Sequence, residues 1–379
     1  MTALPSLTVK VYPRIALIGQ AAWAACAGDD NPFLSYEFLS CLEESGSVGE
    51  GTGWLARHVA LLRGDEVVAV APCYAKTHSY GEYVFDHAWA NALTRAGGHY
   101  YPKLQVAVPF TPAPGARLLC RAGVAYGEML GALEAVCAEL GTSSVHITFC
   151  AEDEWLAAGE AGWLTRLGVQ FHWDNQGYAS FDEFLAALSS RKRKAVRKER
   201  REAQAGVRFE ARSGAALTPE IWRHFYRFYL STVERKWGGA YLTPEFFPLL
   251  GEKLGERVVL MLAWRGDRPI AGALNLRSGD TLYGRNWGAD EDVPFLHFEL
   301  CYYQAIEYAI AHGLRRVEAG AQGEHKISRG YLPARTYSAH YIRHEGLCRA
   351  VGLYLEAERG QIEQEMTLLA EDGPYRKEG

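Results

Sequence analysis

Residues 58–75 read HVALLRGDEVVAVAPCYA, and residues 258–276 read VVLMLAWRGDRPIAGALNL. Each is an apolar run, then Arg-Gly-Asp, then a second apolar run. Gly-Asp between runs rich in β-branched residues is a hairpin signal, so each stretch predicts two antiparallel strands. The segments downstream of each hairpin also match. After the first comes a strand at 104–110, a loop, a helix over 124–140 stopped by Gly141, and a strand at 144–149. After the second comes a strand at 281–287, a loop, a helix over 295–312 and a strand at 316–319. Pro294 suits that helix's first turn, and Gly313 suits the position just past its end. The order hairpin, strand, loop, helix, strand occurs twice, which predicts a duplicated α+β domain.

Between the halves lies SFDEFLAALSSRKRKAVRKERREAQAG, residues 180–206. Ser180 with Glu183 is a capping-box signature that starts a helix. Eight cations between Arg191 and Arg201 are expected to surround this helix, and Gly206 to end it. The domain expectation is 1–185 for the N-terminal domain, 186–206 for a basic connecting helix and 207–379 for the C-terminal domain.

The rest of the composition bounds the function. The chain has 379 residues, 48% hydrophobic and 22% charged, which suits two ordinary globular domains. A net charge of -5 argues against binding nucleic acid by bulk positive charge, though not against a local basic patch. No apolar run approaches the ~20 residues that span a bilayer. The start lacks a secretory pattern, and the eight Cys contain no Cys-x-x-Cys. Both point to a cytoplasmic chain with reduced thiols. The usual phosphate-loop, zinc-protease, nucleophile-elbow and dinucleotide motifs are missing from the sequence. No metal is expected.

Two polar clusters carry the candidate chemistry. GAQGEHKISRGYLPARTYSAH, residues 320–340, comes after a predicted strand and supplies Gln322, Glu324, His325, Lys326 and Arg329. KTHSYGEYVFD, residues 76–86, is followed by YYPKLQVAVPFTP at 100–112. Alternation over 81–86 predicts a strand with Glu82 and Asp86 on one face and Tyr83 on the other. Tyr101 and Lys103 lie close by in sequence. Glu299, two residues after His297 on a helix, points away from it and suits pairing with an arginine.

These segments, with NPFLSYEFLSCLEESGS at 31–47, residues 52–58 and HFELCYYQAIEYAI at 297–310, resemble the FemAB-like N-acyltransferase family of the GNAT superfamily. The resemblance runs from about residue 31 to about residue 341. It implies an α+β fold of two tandem GNAT-like domains with mixed sheets and flanking helices, and a bacterial enzyme linked to peptidoglycan. It implies transfer of an acyl or aminoacyl group from a thioester or ester donor to an amine, without a covalent intermediate. Such chemistry needs a base for the amine and donors for an oxyanion. Glu324, His325, Lys326 and Glu82 are the catalytic candidates. Asp86, Tyr83, Lys103, Tyr101, Arg329, Gln322 and Glu299 are the substrate-binding candidates. The donor is acyl-CoA or an aminoacyl-tRNA. Its phosphates are assigned to Gly115 and Arg117 in the first half, Arg285 and Gly288 in the second, and Lys194 and Arg197 on the basic helix. Asp290 departs from the GNAT pattern, because it puts an anion where a phosphate would sit. Two other readings are a Fem-like peptidyltransferase that uses aminoacyl-tRNA and a non-catalytic cell-wall or glycan recognition protein.

Overall fold

The computed structural model describes residues 6–236, 239–320, 323–371 and 373–376. Gln322 lies outside the described residues. The chain forms two compact units. One takes residues up to Gly168 together with Arg335–Glu363, and the other takes Val169–Ala334 with the chain after Gln364.

In the first unit, strands His58–Arg63 and Glu66–Ala71 form the expected hairpin, with Arg63 opposite Glu66 and Gly64 at φ 62° in the turn. Leu7–Tyr12 and Leu119–Cys120 complete this antiparallel sheet. A second series of strands runs Trp54–Ala56, Cys73–Lys76, Lys103–Val106, Ser144–Cys150 and then residues 337–342. Lys103–Val106 and Ser144–Cys150 are parallel, as a helical crossover requires. The crossover helix Tyr126–Glu139 buries Met129, Leu130, Leu133 and Val136 against Val59, Leu61, Val106 and Ile147. Every residue of Ser144–Cys150 is buried, the polar Ser144, His146 and Thr148 as well as the apolar Val145, Ile147 and Phe149.

The second unit repeats the scheme. Val258–Arg265 and Arg268–Arg277 form the hairpin, with Arg265 opposite Arg268. Thr281–Ala289 comes next, parallel to Arg316–Glu318 across a helical crossover. Arg208–Arg212 pairs on one side of this series, and residues 172–174 pair on the other. Helix Pro219–Lys236 packs so tightly on Thr281–Ala289 that a Cβ at Gly288 would lie 1.7 Å from the Phe228 carbonyl oxygen. The crossover helix over 296–311 contains one wide turn, in which the Gln304 N–H bonds to the Glu299 carbonyl. Such insertions of one residue re-aim side chains, here Glu299 and Tyr303.

Three local expectations change. Residues 81–86 are not a strand. They form an irregular loop with Gly81 at φ 80° and Tyr83 at φ 59°, because both carboxylates turn inward to a buried lysine. The 180–206 stretch is two helices, Phe181–Ala187 and Ser190–Ala203, broken where Leu188 becomes extended and bridges to Tyr375. The Ser180 cap forms as expected, accepting from the Glu183 N–H. Nor do the cations of the second helix surround it. Val196 and Ala203 are buried, and Arg200 turns inward to Glu299 and Glu307. Arg191, Lys194, Arg197, Lys198 and Arg201 are exposed. At 100° per residue those five occupy an arc of about 120°, a stripe.

Candidate functional site

The loop over residues 77–86 and the strand Lys103–Val106 build a buried charged centre in the first unit. Lys103 is fully enclosed, and its ammonium donates to Ser79 Oγ at 2.9 Å, Glu82 Oε2 at 2.7 Å and Asp86 Oδ2. All three protons are used. Burial works against its charge, but Glu82 and Asp86 outweigh it, so the Lys103 pKa is raised. A second buried lysine, Lys76, lies 3.8 Å from Glu82 Oε1 and 3.7 Å over the Trp54 ring. Burial lowers Lys76 to about 7, with Glu82 opposing.

The two carboxylates diverge. Glu82 is pushed up to about 7, chiefly by burial, with Lys103 pulling the other way. Burial also acts to raise Asp86. There the charge of Lys103, then of His146, and a hydrogen bond from Lys103 win and hold it well below the usual range. Tyr100 Oη donates to Asp86 Oδ2 at 2.7 Å. Tyr101 Oη bonds to Ser79 Oγ at 2.8 Å. Glu82 Oε1 and Asp86 Oδ1 are buried without a hydrogen-bond partner. A buried carboxylate oxygen that accepts no hydrogen bond is costly. The sequence clusters thus supply Glu82, Asp86, Lys103 and Tyr101 to one place, and Tyr83 adjoins Glu82 in the chain. Lys76, Ser79 and Tyr100 complete it.

The 320–340 cluster behaves differently. Residues Glu324–Arg329 form a short tight helix in the second unit. Glu324 and His325 are exposed, and Tyr302 Oη lies 3.0 Å from His325 Nε2. Lys326 is buried, donates to the Gly320 carbonyl at 2.9 Å, and is lowered by burial to about 8. Arg329 is held by both oxygens of Glu199, at 2.8 and 3.1 Å, and lies 3.5 Å over the Phe298 ring. Glu299 is fully enclosed by Arg200, Gln204 and Gln304. These two ion pairs fasten the basic helix, so Arg329 and Glu299 act as braces in this structure.

Sequence reasoning missed a second buried acid. Glu318 ends the strand Arg316–Glu318, and burial pushes it up to about 8 despite Arg316. His172 Nε2 lies 3.2 Å from Gln170 Oε1, which leaves Nδ1 bare, 4.0 Å from Glu318 Oε1.

The residues expected to hold CoA do not fit it. Arg117 is buried, and it donates to the carbonyls of Thr148, Gly115, Ala116 and Ala113. Burial lowers it to about 10, and Glu154 opposes that. The Gly115 N–H is taken by the Phe149 carbonyl. Gly288 and Arg285 stay within a strand, and Gly288 is occupied by the approach of Phe228. Lys194 and Arg197 alone of this set are exposed, with Asp182 4.0 Å from Arg197. Among the described residues no cluster of three His, Cys, Asp or Glu could share a metal ion, and no helix is long and apolar enough to cross a membrane.

A comparison with curated protein sequences gives no significant match. Among solved structures, FemX matches with TM-score 0.53 at 14% identity, over 92% of this chain and 100% of that one. The C-terminal domain of a putative lysylphosphatidylglycerol synthetase from Agrobacterium fabrum matches with TM-score 0.55 at 9% identity, over 90% and 96%. L-PGS from Bacillus licheniformis matches with TM-score 0.50 at 10% identity, over 83% and 95%. Likenesses this remote show the fold, which is the expected α+β arrangement of tandem GNAT-like units. A family model described as peptidoglycan biosynthesis/recognition matches residues 14–377. It supports acyl or aminoacyl transfer as the class of chemistry, and by that match the chain belongs to the FemAB-like family.

Proposed function

We propose that this protein transfers an aminoacyl group from a phosphate-rich ester carrier to an amine, with Glu82 as general base. The observation that carries the reading is the Glu82 carboxylate: buried, raised to about 7, and with one oxygen that accepts no hydrogen bond. A base poised near neutral pH takes a proton from an ammonium acceptor most effectively. The amine nitrogen then attacks the ester carbonyl. A C–N bond forms, the C–O bond breaks, and the carrier's alcohol leaves with a proton. Lys103 and Asp86 hold Glu82 in place. Tyr83 and Tyr101, both half-buried, are assigned to the acceptor.

The carrier is assigned as tRNA, through Lys194 and Arg197 in the exposed stripe of the basic helix. Two observations favour it over acyl-CoA. The stripe is the one part of the expected phosphate-binding set that faces solvent, and Arg117 is buried and donates to four backbone carbonyls. One of the matching structures is named a putative lysylphosphatidylglycerol synthetase, another L-PGS and another FemX.

The test is transfer from aminoacyl-tRNA to a lysine-bearing muropeptide, measured against pH. The parent rate should rise through about pH 7. Glu82→Gln should lower it by roughly 10²–10⁴ and abolish that limb. A Glu82→Gln variant with the parent's rate and pH profile would remove Glu82 from the mechanism.

A further inference from the structure

The second unit contains a cavity of about 760 Å³ at the end of strand Thr281–Ala289, where the chain turns into the helix that starts at Leu296. That volume suits a small-molecule ligand or a substrate side chain. Its aromatic walls are Trp287, Phe295 and Phe298, and its charged lining is Asp290, Glu291 and Asp292. No Lys or Arg lines it. Phe295 sits at φ 60°, a left-handed conformation that a bulky side chain adopts only when its surroundings impose it.

The carboxylates are not equivalent. Asp290 pairs with Arg227, and Glu291 pairs with Arg265 and Arg268. These arginines are more than half exposed and lie outside the lining. Asp292 is exposed and has no ion-pair partner among the described residues. The cavity therefore combines aromatic rings with a carboxylate that has no ion pair among those residues. Aromatic faces carry negative potential and attract organic cations, as Phe298 already does with Arg329. An anionic ligand would meet Asp292 uncompensated, whereas Asp290 and Glu291 are paired with arginines outside the lining.

We infer that this cavity binds an organic ammonium group. The strand end where the resemblance expected a phosphate thus serves a ligand of opposite charge. The inference is independent of the role of Glu82.

Choline is a suitable probe, because its charge does not depend on pH. Its neutral isostere, 3,3-dimethyl-1-butanol, replaces the nitrogen by carbon. Ligand-observed NMR titration of the full chain should show saturable choline binding, with the neutral isostere weaker by about tenfold. Asp292→Asn and Trp287→Leu should each weaken choline several-fold, with circular dichroism spectra and melting like the parent's. If Trp287→Leu fails to fold, the surface variant Asp292→Asn still decides. Equal affinity for the two isosteres, no saturable choline binding, or parent-like binding by Asp292→Asn would overturn the inference.

Discussion

The Nδ1 atoms of His146 and His340 lie 2.8 Å apart, so one imidazole must donate and the other accept. Tyr100 gives its only proton to Asp86, and His146 Nε2 lies 3.1 Å from the Tyr100 oxygen and 2.8 Å from Ser144 Oγ. Ser338 Oγ lies 3.1 Å from His340 Nε2. A hydrogen-bonded chain thus links Ser338 through both histidines to Tyr100 and Asp86.

Protonating the accepting ring sets two N–H groups against each other. Burial lowers His146 to about 3 and His340 well below its usual value. A depressed folded pKa gives stability that is present above the unfolded value near 6.5 and is lost as pH falls below it. Each histidine should remove about 1.4 kcal/mol per pH unit there. Glu82, raised on folding, acts with the opposite sign between about 4.5 and 7. The expected result is a difference: urea unfolding at pH 7 and pH 5 should show His340→Gln losing less stability on acidification than the parent. Equal losses would refute the neutral pair.

Lys103→Met should destabilise the first unit by about 3–5 kcal/mol, the usual cost of removing one partner from a buried ion pair. Glu82 and Asp86 would then share a dry site with Lys76 as the remaining lysine. The loss should shrink at low pH, where the acids take protons. Denaturant midpoints at pH 4 and pH 8 test this.

Gly288→Ala should destabilise the second unit at the upper end of the usual 1–3 kcal/mol for overpacking, about 3 kcal/mol. The obstacle is the Phe228 backbone carbonyl, which cannot swing aside as a side chain can. A midpoint within error of the parent's would show that helix Pro219–Lys236 shifts freely.

Lys194→Ala, Arg197→Ala and Lys198→Ala, combined, should leave Tm nearly unchanged, because exposed cations contribute little to stability. Binding of aminoacyl-tRNA should weaken, and its dependence on the logarithm of salt concentration should fall by roughly 0.7–0.9 per lost phosphate contact. Filter binding across a salt series measures both. An unchanged slope would leave the stripe a solvated surface.

The hairpins and crossovers were legible because Gly-Asp turns and apolar runs are local signals. The arc of the basic helix was not legible, since Arg200 leaves the surface only because Glu299, 99 positions away, receives it. Residues of the 76–86 and 100–112 clusters converge on one buried centre. Its geometry escaped the alternation rule, because a buried Lys103 overrides strand periodicity in the residues that satisfy it. The 320–329 cluster looked richest, yet its arginine is committed to Glu199, a residue that the composition of the loop cannot reveal.

The strand Ser144–Cys150 pairs with residues 337–342, while residues 172–174 pair with Arg316–Glu318. Each unit therefore waits on the other half of the polypeptide. On the ribosome the first unit exposes the edge of Ser144–Cys150 until residues 337–342 have emerged, because its partner strand comes nearly two hundred positions later. Loop closure over that distance slows folding and leaves an open strand edge available for wrong pairings. A fragment cut in the basic linker would inherit that defect permanently, so this tandem fold is two domains in architecture but one unit of synthesis.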